Sequence, residues 1–274
     1  MIQIRDLSYG FDGNKQAVLN SISLDIPDGA RIAVVGPNGS GKTTFLRHLN
    51  GLLLPSKGEV LVDGLSTQDP RALPAVRQRV GMVFQNPDTQ IVGMTVEEDV
   101  AFGPGNLNLP SDEIADRVHE SLESVGLAGF EERVPHELSS GEKQLVAVAG
   151  VLAMHPRHIL LDEPTAYLDP AGRRRVMEVI GALHGSGLTV IHVTHDMDEI
   201  VDVDRVLVME RGAPIRMTSP ADLFREPEEL RRLGLDVPVV ARLMTRLYES
   251  GIGVRPDILT MDEAVEELTQ RLLQ

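Results

Sequence analysis

The chain has 274 residues, 42% of them hydrophobic, enough for one large domain, or one domain with an appendage, around a sizeable core. Its 26 basic and 41 acidic residues leave a net charge of −15, which disfavours the phosphate backbone of a nucleic acid as the main partner. Cysteine is absent, which excludes disulfide scaffolds, thiolate metal sites and cysteine nucleophiles. The longest apolar run, Leu145 to Met154, is about half the ~20 residues that span a bilayer. Met1 to Asp6 lack the basic-then-apolar shape of a signal peptide, and the expectation is a soluble, cytoplasmic α/β protein.

In chain order, Arg31–Val35 reads as a strand entering a glycine-rich turn, and Thr43–Asn50 as the helix that follows. Val80–Phe84 is the next apolar run, then come helical patterns over Ser111–Val125 and Gly141–Met154. His158–Leu161 reads as a strand, Ala171–His184 as a helix, and Thr189–Thr194 and Arg205–Met209 as two more strands. Strands alternating with helices predict a mostly parallel sheet covered on both faces, with ligands at the carboxyl ends of its strands. Residues from about Asn86 to Pro156 hold helices and no convincing strand, so they predict a helical lobe, 86–156. Beyond Gly212, Pro214, Pro220, Pro227, Pro238 and Pro256 punctuate short helices. A capping-box pattern at Thr260–Glu263 precedes a final amphipathic helix to Leu273. The expected organisation is therefore a main domain over 1–212 and a small C-terminal extension over 213–274, either packed or partner-binding.

Gly36-Pro37-Asn38-Gly39-Ser40-Gly41-Lys42-Thr43 satisfies the phosphate-loop pattern and lies between a strand and a helix, the context that gives the pattern meaning. Glycines let backbone N–H groups wrap an anion, and the helix N-terminus adds its positive dipole end. In this pattern Lys42 reaches the β- and γ-phosphates and the Thr43 hydroxyl ligates Mg²⁺. Ile159-Leu160-Leu161 leads into Asp162-Glu163, a buried strand ending in two carboxylates. Asp162 can hold Mg²⁺, directly or through water, and Glu163 can take a proton from an attacking water.

Further signals follow in order: Gln85 at a strand end, Leu138-Ser139-Ser140-Gly141-Glu142-Lys143-Gln144 before a helix, Ala166-Tyr167-Leu168-Asp169, and His195 at the end of a later strand. With the loop and the acid pair, this series resembles the ATP-binding-cassette ATPases, the motor subunits of ABC transporters, throughout residues 1–212. The resemblance implies the P-loop NTPase fold of that family and the cofactors ATP and Mg²⁺. It places Gly36 to Lys42, Thr43 and Thr44 on the nucleotide. It assigns Gln85 to Mg²⁺, the attacking water and a membrane-facing loop, His195 to the γ-phosphate, and Asp169 to a loop crossing a dimer interface. An N-terminal aromatic stacks on adenine in this family; Phe11 fits the spacing better than Tyr9. Two cassettes pack head to tail there, as a homodimer or heterodimer. Each ATP then lies between one chain's phosphate loop and the other's signature segment, here Ser139, Gly141 and Glu142.

The usual signature is Leu-Ser-Gly-Gly-Gln. Ser140 and Glu142 depart from it, and Leu145 stands where arginine commonly follows. Glu142 either brings negative charge to a polyphosphate or, as the fourth residue of a Ser139-x-x-Glu142 capping box, turns back on its own helix, the reading preferred here. The runs Phe84 to Gln90, Thr95 to Pro104 and Leu233 to Pro238 resemble the energy-coupling-factor branch, which takes up cobalt, nickel and vitamins. That branch implies a transmembrane coupling protein, which inserts short arginine-bearing helices near Gln85, and a separate substrate-binding membrane protein. The chain would then lie as a peripheral protein on the cytoplasmic face of the cell membrane, with no nucleic-acid partner. Another ABC transporter class, or a non-transport cassette acting as a soluble switch, are the alternatives.

Overall fold

A computed structural model describes residues 1–11 and 17–272. The strands are β1 (Ile2–Tyr9), β2 (Leu19–Ile26), β3 (Arg31–Val35), β4 (Lys57–Val62), β5 (Leu65–Ser66), β6 (Val80–Val83), β7 (His158–Asp162), β8 (Thr189–Val193), β9 (Arg205–Glu210) and β10 (Ala213–Thr218). The helices are α1 (Lys42–Leu49), α2 (Leu73–Arg79), α3 (Val96–Gly105), α4 (Ser111–Ser124), α5 (Ser140–Leu152), α6 (Pro170–Gly185), α7 (Pro220–Phe224), α8 (Pro227–Arg232), α9 (Val239–Glu249) and α10 (Met261–Leu272). The chain folds as two compact units, one of residues 1–31 and 43–193, the other of residues 32–42 and 194 onward.

In the first unit, β6, β7 and β8 pair in parallel, with Val80 opposite His158 and Asp162 opposite Val193. All their residues are buried, as expected for strands covered on both faces. The strand expected over 80–84 stops at Val83 because the Gln90 side chain captures the next residue. Its Oε1 accepts from the Phe84 N–H at 3.0 Å and its Nε2 donates to the Phe84 carbonyl at 3.0 Å, as a neighbouring strand would. Residues 86–156 carry α3, α4 and α5 and, among the described residues, no strand. Val96 and Val100 of α3, Val118 and Leu122 of α4, and Leu145 and Val148 of α5 share one core with Ile159 and Leu161.

The same unit holds an antiparallel sheet, ordered β2-β1-β4-β5, that the sequence reading did not anticipate. Ile2, Ile4 and Leu7 of β1 and Leu19, Ile22 and Ile26 of β2 are buried. Alternation of this kind is a strand signal, but it breaks where the pairing shifts register between Ile4 and Leu7. Asp6 and Ser21 there have φ of 50° and 45°, so the period of two is lost within eight residues.

In the second unit, β3 and β9 are parallel, with Val35 opposite Val208, and β10 adds antiparallel to β9. Pro214, expected to interrupt helices, lies in β10 at an outer edge, where its missing N–H is tolerated. Ala33, Val35, Val206, Val208, Phe224, Leu230 and Leu235 build this unit's core. A satellite cluster of Met244, Val254, Ile258 and Ala264 packs α9 with α10. The expected capping box is present: Thr260 Oγ1 donates to Glu263 Oε2 at 2.9 Å, and the Glu263 N–H returns to Thr260 Oγ1 at 3.4 Å. Leu273, the expected end of α10, lies outside the described residues.

Candidate active site

In the second unit, β3 ends in the glycine-rich turn. Gly36 has a φ of 149°, and a Cβ there would lie 2.1 Å from the Met209 carbonyl oxygen, so only glycine fits beside β9. The loop is pinned from within: the Ser40 N–H donates to Pro37 O at 3.1 Å, and the Gly212 N–H to Ser40 O at 3.0 Å. Lys42 is buried and donates through Nζ to Gly36 O at 2.8 Å and Pro37 O at 3.1 Å. Tying up these carbonyls turns them away from an anion that the loop's other N–H groups can serve. Among the described residues the buried Ser40 Oγ has no hydrogen-bond partner, an orphaned donor that suits a phosphate oxygen. Pro37, Asn38, Gly39 and Gly41 complete the loop, with Asn38 and Gly39 exposed.

In the first unit, Thr43 and Thr44 stand in the first turn of α1, just after this loop. The Thr43 hydroxyl donates to Asp162 Oδ1 at 2.9 Å. Asp162 is the last residue of β7 and is buried. These oxygen donors are the hard set that Mg²⁺ prefers, and the residues fit that ion. Glu163 follows with a φ of 50°, in the left-handed region unusual for a non-glycine residue, and its N–H donates to Val193 O at 3.1 Å. That turn takes its carboxylate out of the strand. Glu163 Oε2 accepts from Gln85 Nε2 at 2.8 Å, although the residues are 78 apart in sequence.

Gln85 is aimed by the turn after it. Asn86 Oδ1 accepts from the Asp88 N–H at 3.0 Å, and Thr89 Oγ1 donates to Asn86 O at 2.8 Å. Asp88 Oδ1 accepts in turn from Lys143 Nζ at 2.7 Å, joining this turn to the first turns of α5. The sequence held no signal for that pair, because the partners are 55 residues apart. Asp88, Ile91 to Met94, Val134 to His136 and Lys143 line a groove of about 320 Å³, with Val92, Met94 and Val134 exposed.

Ser139 caps α5 in a complete capping box. The Ser139 N–H and Oγ–H both donate to Glu142 Oε2, at 2.8 and 2.7 Å, and the Glu142 N–H returns to Ser139 Oγ at 3.3 Å. The Ser139 side chain and then its backbone N–H hold the Glu142 carboxyl below its usual pKa. Glu142 is therefore turned onto its own helix. A Cβ on Gly141 would meet Gly172 Cα at 3.2 Å, so α5 and α6 approach closely there. Asp169 caps α6, accepting from the Gly172 N–H at 2.7 Å.

His195 is exposed just beyond β8, in the second unit. Its turn is fixed by Thr194 Oγ1, which accepts from the Asp196 N–H at 3.0 Å and donates to Glu199 Oε2 at 2.6 Å. Phe11 is 45% exposed and meets Tyr9 edge to face, with centroids 5.1 Å apart, while Tyr9 also packs against His48 at 4.7 Å. Tyr9 is thus held between neighbours and Phe11 presents ring surface. The structure brings together Thr43 with Asp162, Gln85 with Glu163, and Ser139 with Glu142. Gly36 to Lys42 and His195 belong to the other unit.

A glycine-rich strand-to-helix turn with a buried lysine, and a threonine bonded to an aspartate at a strand end, define a P-loop nucleoside triphosphatase. Residues 19–166 match the family described as ABC transporter. The cobalt import ATP-binding protein CbiO of Syntrophus aciditrophicus is 53% identical over 268 residues, 98% of this chain and 96% of that protein. The energy-coupling factor transporter ATP-binding protein EcfA1 of Clostridioides difficile is 46% identical, covering 98% of this chain and 99% of its own. The solved structure of cbiO1 from Clostridium perfringens, part of the ABC transporter complex cbiONQ, superposes with a TM-score of 0.77 at 36% identity, covering 89% and 98% of the two chains. The chain belongs to the ABC transporter family, among its energy-coupling-factor ATP-binding proteins, and is an ATPase.

Proposed function

We propose that this chain is the ATP-hydrolysing motor of an energy-coupling-factor importer for a metal ion or vitamin. The observation that carries the reading is the bond from Gln85 to Glu163, 2.8 Å long. It ties Gln85, three residues before Asp88 on the wall of the exposed groove, to the carboxylate next to the Asp162–Thr43 pair. Chemistry and a docking surface thereby share one hydrogen bond.

In this reading Gly36 to Lys42, Thr43 and Thr44 cradle the phosphates of ATP, and Phe11 stacks on adenine. Glu163 takes a proton from water as the water oxygen attacks the γ-phosphorus; the bond to the bridging oxygen breaks and ADP departs. Mg²⁺, held by Thr43, Asp162 and Gln85, supplies charge neutralisation at the β- and γ-phosphates when bound. His195 donates to the γ-phosphate. The segment of Ser139, Gly141 and Glu142 offers its helix N-terminus to the nucleotide of a second ATPase chain, with the Glu142 carboxylate turned back on Ser139, so a lone chain hydrolyses ATP poorly. No helix among the described residues is long and apolar enough to cross a membrane. The membrane is reached instead through a transmembrane coupling protein seated in the groove beside Asp88, at the cytoplasmic face, with a substrate-binding membrane protein beyond it. Residues 213–274 act as an extension with partner or dimer contacts. Co-purification with these membrane proteins, followed by ATP-driven uptake into vesicles, tests the reading. Absence of both proteins from the native complex would overturn it.

A further inference from the structure

Three side chains far apart in sequence meet in the first unit at the amino end of β7. Asp28 lies in the turn after β2, Asp63 in the turn between β4 and β5, and His158 opens β7. One ligand-capable atom from each lies within 4.8 Å of the others. His158 Nε2 is 3.7 Å from Asp63 Oδ1 and 3.9 Å from Asp28 Oδ1, too far for hydrogen bonds. The imidazole is fully buried, and among the described residues neither ring nitrogen has a hydrogen-bond partner. Such a group calls for an explanation, because a buried polar atom left unsatisfied is costly.

The two carboxylates already serve cations. The Met1 α-ammonium donates to Asp28 and, at 2.6 Å, to Asp63. Asp63 Oδ2 faces Arg157 at 3.4 Å and Arg79 at 3.6 Å, while Oδ1, which accepts from the Met1 ammonium, is also the oxygen 3.7 Å from the imidazole. We propose that Asp28, Asp63 and His158 form a binding site for a borderline divalent ion of the Zn²⁺ and Co²⁺ type. Ligands at roughly 2.1 Å in a tetrahedron lie about 3.4 Å from one another. The observed 3.7 and 3.9 Å edges need to contract by only a few tenths of an ångström. One imidazole with two carboxylates suits these ions better than Mg²⁺ or Ca²⁺, which take oxygen donors. The metal displaces the Met1 ammonium from the carboxylates. His158 stands at the opposite end of β7 from Asp162, four residues away, or about 13 Å along a strand. The site is thus separate from the Mg²⁺ residues, and the proposal does not depend on the transport reading.

The test uses the full chain, free of nucleotide, titrated with Co²⁺ alone and followed by calorimetry and visible absorption. The expected result is one equivalent bound, with absorption bands of nitrogen and oxygen ligation at low coordination number. Asp28→Asn changes a side chain 65% exposed, so the fold tolerates it; it should weaken Co²⁺ binding at least tenfold and leave ATPase activity unchanged. His158→Gln should do the same to binding, and Asp162→Asn should leave binding intact. Failure of the wild type to bind Co²⁺ would overturn the proposal. So would equal affinity in wild type, Asp28→Asn and His158→Gln, or loss of binding in Asp162→Asn.

Discussion

Glu142 shows how the chemistry of one side chain depends on where its helix begins. Both its bonds to Ser139 are made by the ionised carboxylate, so its folded pKa lies below the unfolded value. The stabilisation is therefore present above the unfolded pKa and is lost as pH falls through the folded one. Glu142→Gln should cost at most about 1 kcal/mol at pH 7, a typical capping contribution. Urea unfolding of the two proteins should show that difference at neutral pH and its disappearance once the carboxylate is protonated. Lys42 makes the opposite case, an ammonium whose work is with a ligand. Charged hydrogen bonds are worth about 1.5–3 kcal/mol, so Lys42→Ala should weaken ATP binding by roughly ten- to a hundredfold in a nucleotide titration. Both residues were legible in sequence because their partners are local: Ser139 is three residues from Glu142, and the loop carbonyls five or six from Lys42. Lys143 on Asp88, and Asp28 with Asp63 and His158, were not legible, because only folding makes them neighbours.

Segments with a single strong period were read well, and those with a broken one were missed. β3, β7 and β8 are short, wholly buried segments rich in branched apolar residues and α4 has a polar and an apolar face, so their placement agrees with expectation to within a residue or two. β1 and β2 lose their alternation at Asp6 and Ser21, and the antiparallel sheet stayed hidden with them. The segment after β6 is built by side chains rather than by a ladder: Gln90 closes on Phe84, and Asn86 caps the turn that carries Asp88. Asp88 borders the groove in which an arginine-bearing helix of the coupling protein would dock, and a carboxylate can bind such a guanidinium in two-pronged fashion. In its existing pair with Lys143, Asp88 is 65% exposed and Lys143 16%, and pairs with so exposed a partner contribute about 0–1 kcal/mol. Asp88→Ala should accordingly leave the ATPase rate of the isolated chain within about twofold. In reconstituted vesicles it should lower the amount of substrate taken up per ATP hydrolysed. An unchanged ratio with normal assembly would remove Asp88 from the coupling surface.

Each of the two units has its own apolar core, and each carries part of the machinery on a strand end: the phosphate loop after β3 in one, Asp162 and Glu163 at β7 in the other. The strand-helix alternation that announced an α/β fold comes from both. A motor of this kind must bind ATP, close on a second ATPase chain, and reopen only after hydrolysis, so stopping proton abstraction should stop the cycle in its closed form. Glu163→Gln keeps the size of the side chain and removes the base, and general bases contribute about 10²–10⁴ in rate. The decisive experiment measures phosphate release and sedimentation with ATP for wild type and Glu163→Gln side by side. Phosphate release should fall at least a hundredfold in Glu163→Gln while ATP converts it to a stable pair of chains. Turnover within a few-fold of wild type, or no ATP-dependent pairing, would show that Glu163 is not the base of an ATP-driven dimer motor.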